Sequence, residues 1–553
     1  MSTLVGPLSW ALGRLAPQAP WLLAGAAISL GVFLLNAGLM AAAGASAGGL
    51  LLAWWLRGLA LSRVVARYVE RLVSHHALFL ALAELRVWIF RRIAQRAPMG
   101  PGFGRASDWL ARLTHDVEAL DGLYLRALTP IALALAAGSV AAAALSPVTM
   151  AGAAAALLLT VGAVGVALLF AANASRAGTA LAEASGALRA GAADTLSGLR
   201  TLTACGALRT AAGRFAADDE ALIAAQRRVA MLAGRASAAG LVLAQGALLG
   251  ALGFTALAWQ SGGATPWVAA ALLVLVAALE PIGALPRAGE ALATSAAAAT
   301  RLSEAAELPA AVHDPAVPGP APRDGSLLVR DLRFAWTPPG GARHEVLRGL
   351  DLAVPDGAVV AILGESGIGK SSLLAALLRL APLAGGEVRI GGAALSTLSG
   401  SQARAAIAAL PQGAALFAAT IRDNLVLARA NADEALLWRA LAAAELDGFV
   451  QSLPQGLDTW VGEGGAALSG GQARRLALAR AFLQPGHIML LDEPCSGLDS
   501  ATEDAVLAGL DQARALATGK PRTLVLLLHR LTGAERLDAA WRLVDGRLEP
   551  IPL

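Results

Sequence analysis

The sequence predicts a membrane domain built of α-helices, followed by a soluble α/β domain. Three long stretches contain no Asp, Glu, Lys or Arg, and they lie between Arg14 and Arg57, between Arg126 and Arg176, and between Arg235 and Glu280. Further on, a glycine-rich loop follows the apolar run Val359–Leu363. The hydrophobic content of 56% exceeds the share of about half that soluble domains have. The mean hydropathy, +0.60, is also high. A chain of 553 residues also exceeds one domain of about 100–200 residues.

Charge and cysteine content exclude several classes of protein. The net charge of +4 is small, and because Lys370 and Lys520 are the only lysines, the many arginines indicate coding bias. We therefore expect no nucleic-acid partner. Cys205 and Cys495 lie far apart and indicate no disulfide framework. The first apolar stretch begins near Pro20 without a small-residue cleavage site, so we expect a retained span rather than a cleaved signal peptide.

The charge-free stretches predict six spans, since one spanning helix needs about 20 apolar residues. The first stretch holds a span from Trp21 to Ala43, a turn at 44–49, and the start of a helix that continues to about Arg96. The second and third are each long enough for two spans. Their turn signals are Ser146-Pro147 and residues 261–266.

Arginine predicts the orientation of these spans. The segments 73–126 and 176–235 are rich in Arg, whereas the hairpin tips carry no charge. Because positive loops stay in the cytosol, we expect both segments and both ends of the membrane domain to be cytosolic. A break at 98–102 precedes a short amphipathic helix at 107–113, and a second such helix is expected at 197–202.

The composition also predicts the domain boundaries. We expect a transmembrane domain at 1–306, a linker at 307–326 and a nucleotide-binding domain at 327–553. The linker is proline-rich. Its prolines are Pro309, Pro315, Pro318, Pro320 and Pro322.

The soluble domain begins with short strand-like runs at 326–329 and 350–354. The next run, Val359–Leu363, is apolar throughout, as expected for a strand that is buried on both faces. A helix from Ser371 to Leu380 is predicted after the glycine-rich loop. Strand, glycine-rich loop and helix together are the context of a phosphate-binding loop.

We predict that this loop cradles ATP phosphates with its backbone N–H groups, helped by the positive N-terminus of the helix. Lys370 would neutralise the β- and γ-phosphates, and the Ser371 hydroxyl would bind Mg²⁺. The predicted nucleotide-binding residues here are Gly364, Glu365, Ser366, Gly367, Ile368, Gly369, Lys370, Ser371 and Ser372.

Two adjacent carboxylates predict the hydrolytic chemistry. Ile488–Leu491 is a second apolar run, and it ends in Asp492 and Glu493. A carboxylate at a strand end can hold Mg²⁺, and its neighbour can orient or deprotonate the attacking water. The alternative is that Glu493 is a solvated loop carboxylate without a catalytic role.

The motif Leu468-Ser469-Gly470-Gly471-Gln472 resembles the signature of ATP-binding-cassette proteins. The resemblance implies further roles. Gln412, after Pro411, matches the glutamine that contacts Mg²⁺, and Asp499, in Ser496–Asp499, matches the D-loop aspartate. His529 matches the switch histidine that senses the γ-phosphate. Trp336 stands where the family usually has a tyrosine that stacks on adenine.

The resemblance covers the whole chain, since six spans followed by one cassette form an exporter half-transporter. It implies a six-helix exporter-type transmembrane domain of the type IV fold, surrounded by membrane lipids, and a cytosolic P-loop domain. In that family two cassettes enclose two ATP molecules, and each signature completes the site of the other chain. We therefore expect a dimer that couples ATP hydrolysis to transport.

A polar face on the second predicted span indicates a ligand site. Arg63, Arg67, Arg71 and His75 recur every four residues and so share one helix face, and Glu280 lies in the sixth span. Charges within the bilayer normally face a cavity or a partner. A structural Arg–Glu pair, or arginines that extend to the interface, remains open as the alternative.

Two longer segments resemble one subfamily more closely. Arg67–His75 and Asp116–Arg126 look like the CydC-type subunit of the cytochrome bd assembly exporter. This implies a heterodimer with a CydD-type half in the bacterial inner membrane, associated with cysteine and glutathione export and with haem. The haem-linked histidine of the family matches His75, and His76 follows it where an acidic residue is frequent.

Sequence alone does not separate a thiol from haem as the substrate, because arginine binds the carboxylates of either and imidazole can ligate iron. Two further alternatives stay open. One is a homodimeric exporter of lipids or drugs. The other is a regulatory half that hydrolyses little ATP.

Overall fold

The computed structural model describes residues 2–45, 50–96, 106–260, 267–307, 312–337, 342–531 and 534–553. Two compact units divide the described residues: the first contains those from 2 to 95 and from 106 to 307, and the second contains Arg96 and those from 312 to 553.

The described residues of the first unit form helices joined by short turns. Its helices are α1 (Ser2–Leu15), α2 (Ala19–Ala45), α3 (Leu50–Arg96), α4 (Ala106–Ala111), α5 (Val117–Ala119), α6 (Thr129–Leu145), α7 (Met150–Ser197), α8 (Leu199–Ala204), α9 (Leu208–Gln260), α10 (Trp267–Gly283) and α11 (Leu285–Glu307). Wider π-helical turns cover Arg112–Asp116 and Leu123–Leu128.

The prediction of six spans is confirmed, because six helices within the described ranges are long and apolar enough to cross a membrane. The long helix that follows the first predicted turn also runs from Leu50 to Arg96 as expected. At Ser146-Pro147 the chain turns between α6 and α7, and the Thr149 hydroxyl caps α7 by accepting from the Gly152 N–H. The turn predicted at 44–49 begins later than expected, because α2 continues through Ala45, and residues 46–49 lie outside the described residues. The turn predicted at 261–266 and the break predicted at 98–102 also lie outside them.

Small residues let the helices of this unit pack closely. Helix α7 packs along α9, and α10 packs against α2 and α6. At Gly289 of α11 an added Cβ would lie 2.6 Å from the Ala167 carbonyl oxygen of α7, so only glycine permits this approach. Small residues at helix contacts are typical of membrane proteins, because lipid supplies little hydrophobic force between helices.

A buried ion pair ties the first cytosolic segment to α11. The Arg301 guanidinium donates from Nε to Asp116 Oδ2 at 3.0 Å and from Nη2 to Oδ1 at 2.6 Å. Asp116 is buried, so this two-pronged pairing satisfies a charge that would be costly alone. The N-terminal helix α1, which the sequence analysis did not predict, packs on the same α11.

The second unit is an α/β domain with two sheets. Its strands are β1 (Leu327–Trp336), β2 (His344–Val354), β3 (Val359–Leu363), β4 (Gly385–Ile390), β5 (Ala393–Ala394), β6 (Ile407–Leu410), β7 (Ile488–Asp492), β8 (Thr523–Leu528), β9 (Ala539–Val544) and β10 (Arg547–Ile551). Its helices are α12 (Lys370–Leu377), α13 (Gly400–Ala406), α14 (Ile421–Val426), α15 (Glu434–Ala443), α16 (Asp447–Ser452), α17 (Gly470–Leu483) and α18 (Ser500–Leu516).

The larger sheet has the strand order β10-β9-β3-β8-β7-β6, and every pair is parallel except β10 with β9. The smaller sheet is antiparallel, in the order β2-β1-β4-β5. Alternate residues of β3 enter two different apolar clusters, with Ala361 in one and Val360 and Ile362 in the other. The central strands are thus buried on both faces, which explains their continuous apolar sequences.

The helix predicted from Ser371 to Leu380 is shorter than expected, because α12 ends at Leu377. Arg379 has a φ of 54°, in the left-handed region, and the Leu380 N–H bonds back to the Ala375 carbonyl. This local reversal ends the helix.

Arg379 also holds the proline-rich segment onto the domain. Its guanidinium donates to Asp314 Oδ1 at 3.0 Å, to the His313 carbonyl at 2.6 Å and to the Leu398 carbonyl. The Gly400 N–H donates to the same Asp314 oxygen at 2.8 Å. The described part of the segment, from residue 312, is therefore bound to the domain surface.

Candidate functional site

The order of the parallel strands places the predicted chemical groups side by side. Leu363 of β3 pairs with Leu528 of β8, and Asp492 of β7 pairs with Leu527. The residues that follow these three strands therefore meet at one sheet edge. Ligands bind at the carboxyl ends of parallel strands in such sheets.

The phosphate-binding loop, residues 364–369, has the conformation that its glycines permit. Gly367 has a φ of 84° and Gly369 a φ of 122°. A Cβ at Gly369 would lie 2.7 Å from Val346 Cγ1, so space as well as dihedral angle demands glycine there. Lys370 begins α12, and its Nζ donates back to the Gly364 and Glu365 carbonyls at 2.6 and 3.0 Å.

Burial lowers the pKa of the Lys370 ammonium, and the charges of Glu493 and Asp492 oppose that shift. The cation thus lies within electrostatic reach of both predicted carboxylates. It is the positive centre of the site.

Asp492 offers a place for a divalent cation. Its Oδ2 accepts from Ser371 Oγ at 2.7 Å, whereas its buried Oδ1 has no hydrogen-bond partner among the described residues. Burial raises the pKa of the Asp492 carboxyl, and Glu493 adds to the effect while Ser371 and Lys370 reduce it. A buried, unpaired carboxylate oxygen beside a hydroxyl is a donor set that suits Mg²⁺.

Glu493 lies at the end of β7 and contacts His529, which follows β8. Glu493 Oε1 and His529 Nε2 form a close ion pair or hydrogen bond, with the glutamate side chain only 10% exposed. The Glu493 backbone has a φ of 50°, a conformation that non-glycine residues rarely adopt. Strain of this kind concentrates at functional sites.

Trp336 lies beside the phosphate-binding loop. Its indole Nε1 donates to Ser372 Oγ at 3.0 Å, and its ring meets Phe334 edge-on with centroids 5.0 Å apart. The half-buried indole is therefore held to the first turn of α12.

The signature motif forms the capped N-terminus of α17. The Ser469 hydroxyl accepts from the Gln472 N–H at 3.3 Å, and the Gln472 side chain accepts from the Ser469 N–H at 2.9 Å. This reciprocal cap fixes the helix start, where phosphate binds favourably. Leu468 precedes the cap and packs partly buried against the core.

Gln412 and two signature glycines share one cavity. It has a volume of about 330 Å³ and is lined by Gln412, Gly413, Gly470, Gly471, Arg474, Glu493, Ser496 and Gly497. Asp499, the D-loop aspartate, caps α18 instead, because its carboxylate accepts from the Thr502 N–H and hydroxyl at 3.0 and 2.8 Å.

Sequence reasoning missed Arg474, which lines this cavity and donates to the main-chain carbonyls of Asp492 and Glu493. Its position two residues after the signature was the available signal. The chain is rich in arginine, however, so the presence of one more arginine at this position did not indicate a function.

The polar face of the membrane unit separates into two parts. Glu280 pairs with Arg67 at 2.9 Å and with Arg63 at 3.7 Å. His75 is held elsewhere, since its Nδ1 bonds to the Arg71 carbonyl at 2.9 Å. A carbonyl only accepts, so Nδ1 carries the proton in this bond, and Nε2 has no hydrogen-bond partner among the described residues.

Comparison with known proteins supports this description. Residues 347–496 match the family model described as ABC transporter. The "Glutathione/L-cysteine transport system ATP-binding/permease protein CydC" of Escherichia coli is 31% identical over 502 residues, which cover 89% of this chain and 85% of that protein. The protein of the same name from Haemophilus influenzae is 31% identical over 503 residues, with the same coverage.

A more distant relative is the "Mycobactin import ATP-binding/permease protein IrtB" of Mycolicibacterium thermoresistibile, 35% identical over 286 residues, or 51% of this chain and 47% of that one. Among solved structures, a bacterial Atm1-family ABC exporter with ATP bound matches with a TM-score of 0.77 at 24% identity, covering 97% of this chain and 94% of that one. This likeness shows the exporter fold.

These matches and the six helices make the chain a multi-pass membrane protein with a cytoplasmic nucleotide-binding domain. The cassette implies binding of ATP, normally with Mg²⁺, and ATP hydrolysis coupled to transport. The chain belongs to the CydC family of ATP-binding-cassette transporter subunits.

Proposed function

We propose that this chain is the ATP-hydrolysing half of a heterodimeric exporter in the bacterial inner membrane, paired with a CydD-type half and serving cytochrome bd assembly. The observation that supports the proposal is the 31% sequence identity to two CydC proteins over 89% of this chain. Their names specify glutathione and L-cysteine, so we propose a low-molecular-weight thiol as the substrate.

The geometry of the nucleotide site supports hydrolysis by this chain. Lys370 and the loop N–H groups bind the phosphates, and Trp336 presents an aromatic ring to the adenine. Ser371, Asp492 and Gln412 would hold Mg²⁺, which when bound neutralises phosphate charge. Glu493 accepts the proton of the attacking water, and His529 keeps the Glu493 carboxylate in place.

A regulatory half with little ATPase activity is the competing proposal for the same fold. The contact between Glu493 and His529 and the orphan oxygen of Asp492 favour an active site instead. We propose that the signature, Leu468 to Gln472, and the D-loop aspartate Asp499 act at the interface with the partner cassette.

Transport in inside-out vesicles tests the substrate. Vesicles that contain the complex with its partner should accumulate labelled glutathione or cysteine only with hydrolysable ATP. The Glu493→Gln complex, reconstituted in parallel, should accumulate none. If the substrate accumulated in right-side-out vesicles instead, the proposed direction of transport would be wrong. If this chain alone transported the substrate at full activity, a homodimeric exporter would be favoured.

The membrane arginines support an anionic substrate. One carboxylate, Glu280, serves both Arg63 and Arg67, so this cluster keeps a net positive charge. Arg71 follows one turn later on the same helix. Charges at this depth normally face a cavity or a partner, and the carboxylates of glutathione or cysteine would supply the missing negative charge.

The Nε2 of His75, which has no hydrogen-bond partner in the described part of the chain, favours haem as a second candidate substrate. A hemin titration followed by absorption of the Soret band tests this in the purified complex. His75→Ala should abolish a saturable shift, whereas the neighbouring exposed His76→Ala serves as the matched control. A shift that survives His75→Ala would remove His75 from the proposal.

A further inference from the structure

Arg474 joins the signature helix to the catalytic carboxylates within one chain. It lies one turn into α17, four residues after Gly470. Its Nη2 donates to the main-chain carbonyls of Asp492 and Glu493, the latter at 2.6 Å. The side chain therefore bridges two elements that the strand order alone does not connect.

The bridge is charged and largely enclosed. Burial lowers the pKa of the Arg474 guanidinium, and the nearby charges of Asp492 and Glu493 oppose that shift. Its buried Nε has no hydrogen-bond partner among the described residues, so the two carbonyls are the anchors of this side chain. Arg474 also lines the cavity that holds Gln412 and Glu493.

A second contact runs parallel to this bridge. A Cβ at Gly471 would lie 3.3 Å from Leu498 Cδ2, so the first turn of α17 packs directly on the D-loop. The signature helix thus touches both the strand end that carries Glu493 and the loop that follows it. A displacement of α17 relative to β7 would strain both contacts.

We propose that Arg474 is a positioning residue that makes hydrolysis at Glu493 depend on the placement of the signature helix. The Glu493 backbone adopts the left-handed conformation, and the two hydrogen bonds from Arg474 hold the peptides on either side of its Cα. This places the Glu493 carboxylate against His529. When α17 moves, those bonds break and the carboxylate loses its position.

The inference rests on the proposed function, in which the signature of this chain completes the partner's ATP site. ATP bound at that second site would hold α17 in place. Arg474 would then keep its bonds to the Asp492 and Glu493 carbonyls and so keep the Glu493 carboxylate in position. The two ATP sites would then be coupled through one side chain, and the coupling should appear as cooperativity in ATP.

The test uses the full complex with its partner and compares Arg474→Gln, Arg474→Lys and Glu493→Gln. Arg475→Gln is the matched control, since the neighbouring arginine bonds to the Glu445 carbonyl and, at 3.4 Å, to the Gly471 carbonyl of its own helix rather than to the carbonyls of Asp492 and Glu493. The measurements are kcat, KM and the Hill coefficient for ATP, the affinity for a fluorescent ATP analogue, and the unfolding midpoint.

We expect Arg474→Gln to lower kcat by about ten- to a hundredfold, as for loss of hydrogen bonds from a charged donor. The affinity for the analogue and the unfolding midpoint should stay unchanged, and the Hill coefficient should fall towards one. Arg474→Lys should recover part of kcat, because an ammonium can reach one carbonyl. Arg475→Gln should behave as the wild type.

Three results would overturn the inference. If Glu493→Gln abolishes hydrolysis but Arg474→Gln keeps the wild-type kcat and Hill coefficient, the coupling is wrong and the proposed function stands. Equal losses of kcat and of nucleotide affinity, with no recovery in Arg474→Lys, would show a merely structural role. If Glu493→Gln leaves hydrolysis intact, both proposals fail together.

Discussion

At the scale of single residues, Glu493 bears the largest predicted effect. Glu493→Gln keeps the shape of the side chain but removes the proton acceptor beside His529. We expect ATPase activity to fall by about 10²–10⁴-fold, the usual contribution of a general base. ATP affinity should persist, because Lys370 and the loop remain. Steady-state hydrolysis and nucleotide binding, measured on the same preparation, check both halves of this prediction.

A protein with the Glu493→Gln change that still hydrolyses ATP at the wild-type rate would assign the activity to the partner's site. The regulatory-half alternative would then be preferred for this chain.

Asp492 predicts a pH dependence of stability. Because burial raises its pKa in the folded state, the folded protein binds this proton more tightly than the unfolded chain does. As the pH rises from the ordinary carboxyl range through this raised pKa, Asp492 ionises less readily in the folded state than in the unfolded chain. The free energy of unfolding therefore falls over this pH range. Without Mg²⁺ and nucleotide, Asp492→Asn should raise the unfolding midpoint near neutral pH, by about 2–4 °C for each kcal/mol.

This gain should shrink as the pH is lowered towards the ordinary carboxyl range, where the wild-type side chain is already protonated in both states. Thermal unfolding of the nucleotide-free complex across pH measures it. The exposed Asp504→Asn is the control and should change little. A gain of equal size at every pH would trace the effect to packing rather than charge.

At the scale of elements, the phosphate-binding loop depends on Gly369 more than on its neighbours. Its φ of 122° and the 2.7 Å approach of Val346 leave no room for a Cβ. Gly369→Ala should therefore displace the loop and the start of α12, and ATP affinity should fall by at least tenfold, which corresponds to about 1.4 kcal/mol. Equilibrium binding of a fluorescent ATP analogue gives the number.

Gly448→Ala provides a control, since nothing lies within 4 Å of the added Cβ and the residue is helical in α16. Full ATP affinity in Gly369→Ala would show that the loop adjusts at low cost.

At the scale of the whole molecule, Glu280 is predicted to compete with the substrate for the membrane arginines. Glu280→Gln removes the carboxylate that pairs with Arg63 and Arg67. We expect the KM for glutathione in vesicle uptake to fall, because the substrate carboxylate no longer displaces an internal one. Glu290→Gln, an exposed change on α11, is the matched control.

An unchanged KM in Glu280→Gln, together with normal ATPase activity, would make the cluster a structural pair and place the substrate elsewhere. Loss of the protein from the membrane would point to the same structural role, and the Glu290→Gln control identifies any general effect on expression.

Much of the architecture follows from local patterns. Stretches without charge predicted the six spans, since a lipid interior excludes charge whatever the tertiary contacts are. Val359–Leu363 and Ile488–Leu491 predicted buried strands, because a strand covered on both faces of a sheet is apolar at every position. The phosphate-binding loop was readable because phosphate recognition needs glycine, lysine and a hydroxyl residue at fixed spacing.

Other features depend on partners that are distant in sequence. The Arg67–Glu280 pair joins residues 213 positions apart, and Arg474 reaches Asp492 across 18 positions. The bonds from Arg379 onto the proline-rich segment are also of this kind. Composition predicted only a linker at 307–326, whereas in the structure Arg379 binds the described part of this segment to the nucleotide-binding domain.

Residue type and spacing therefore predicted which helices cross the membrane and which residues would bind ATP, because these depend on solvent preference and on the stereochemistry of neighbouring residues. Strand order and helix packing settled which of those residues meet. They set Glu493 against His529, left one oxygen of Asp492 without a partner among the described residues and brought Arg474 to the Glu493 carbonyl. Such contacts form only when elements pack, so no local pattern specifies them.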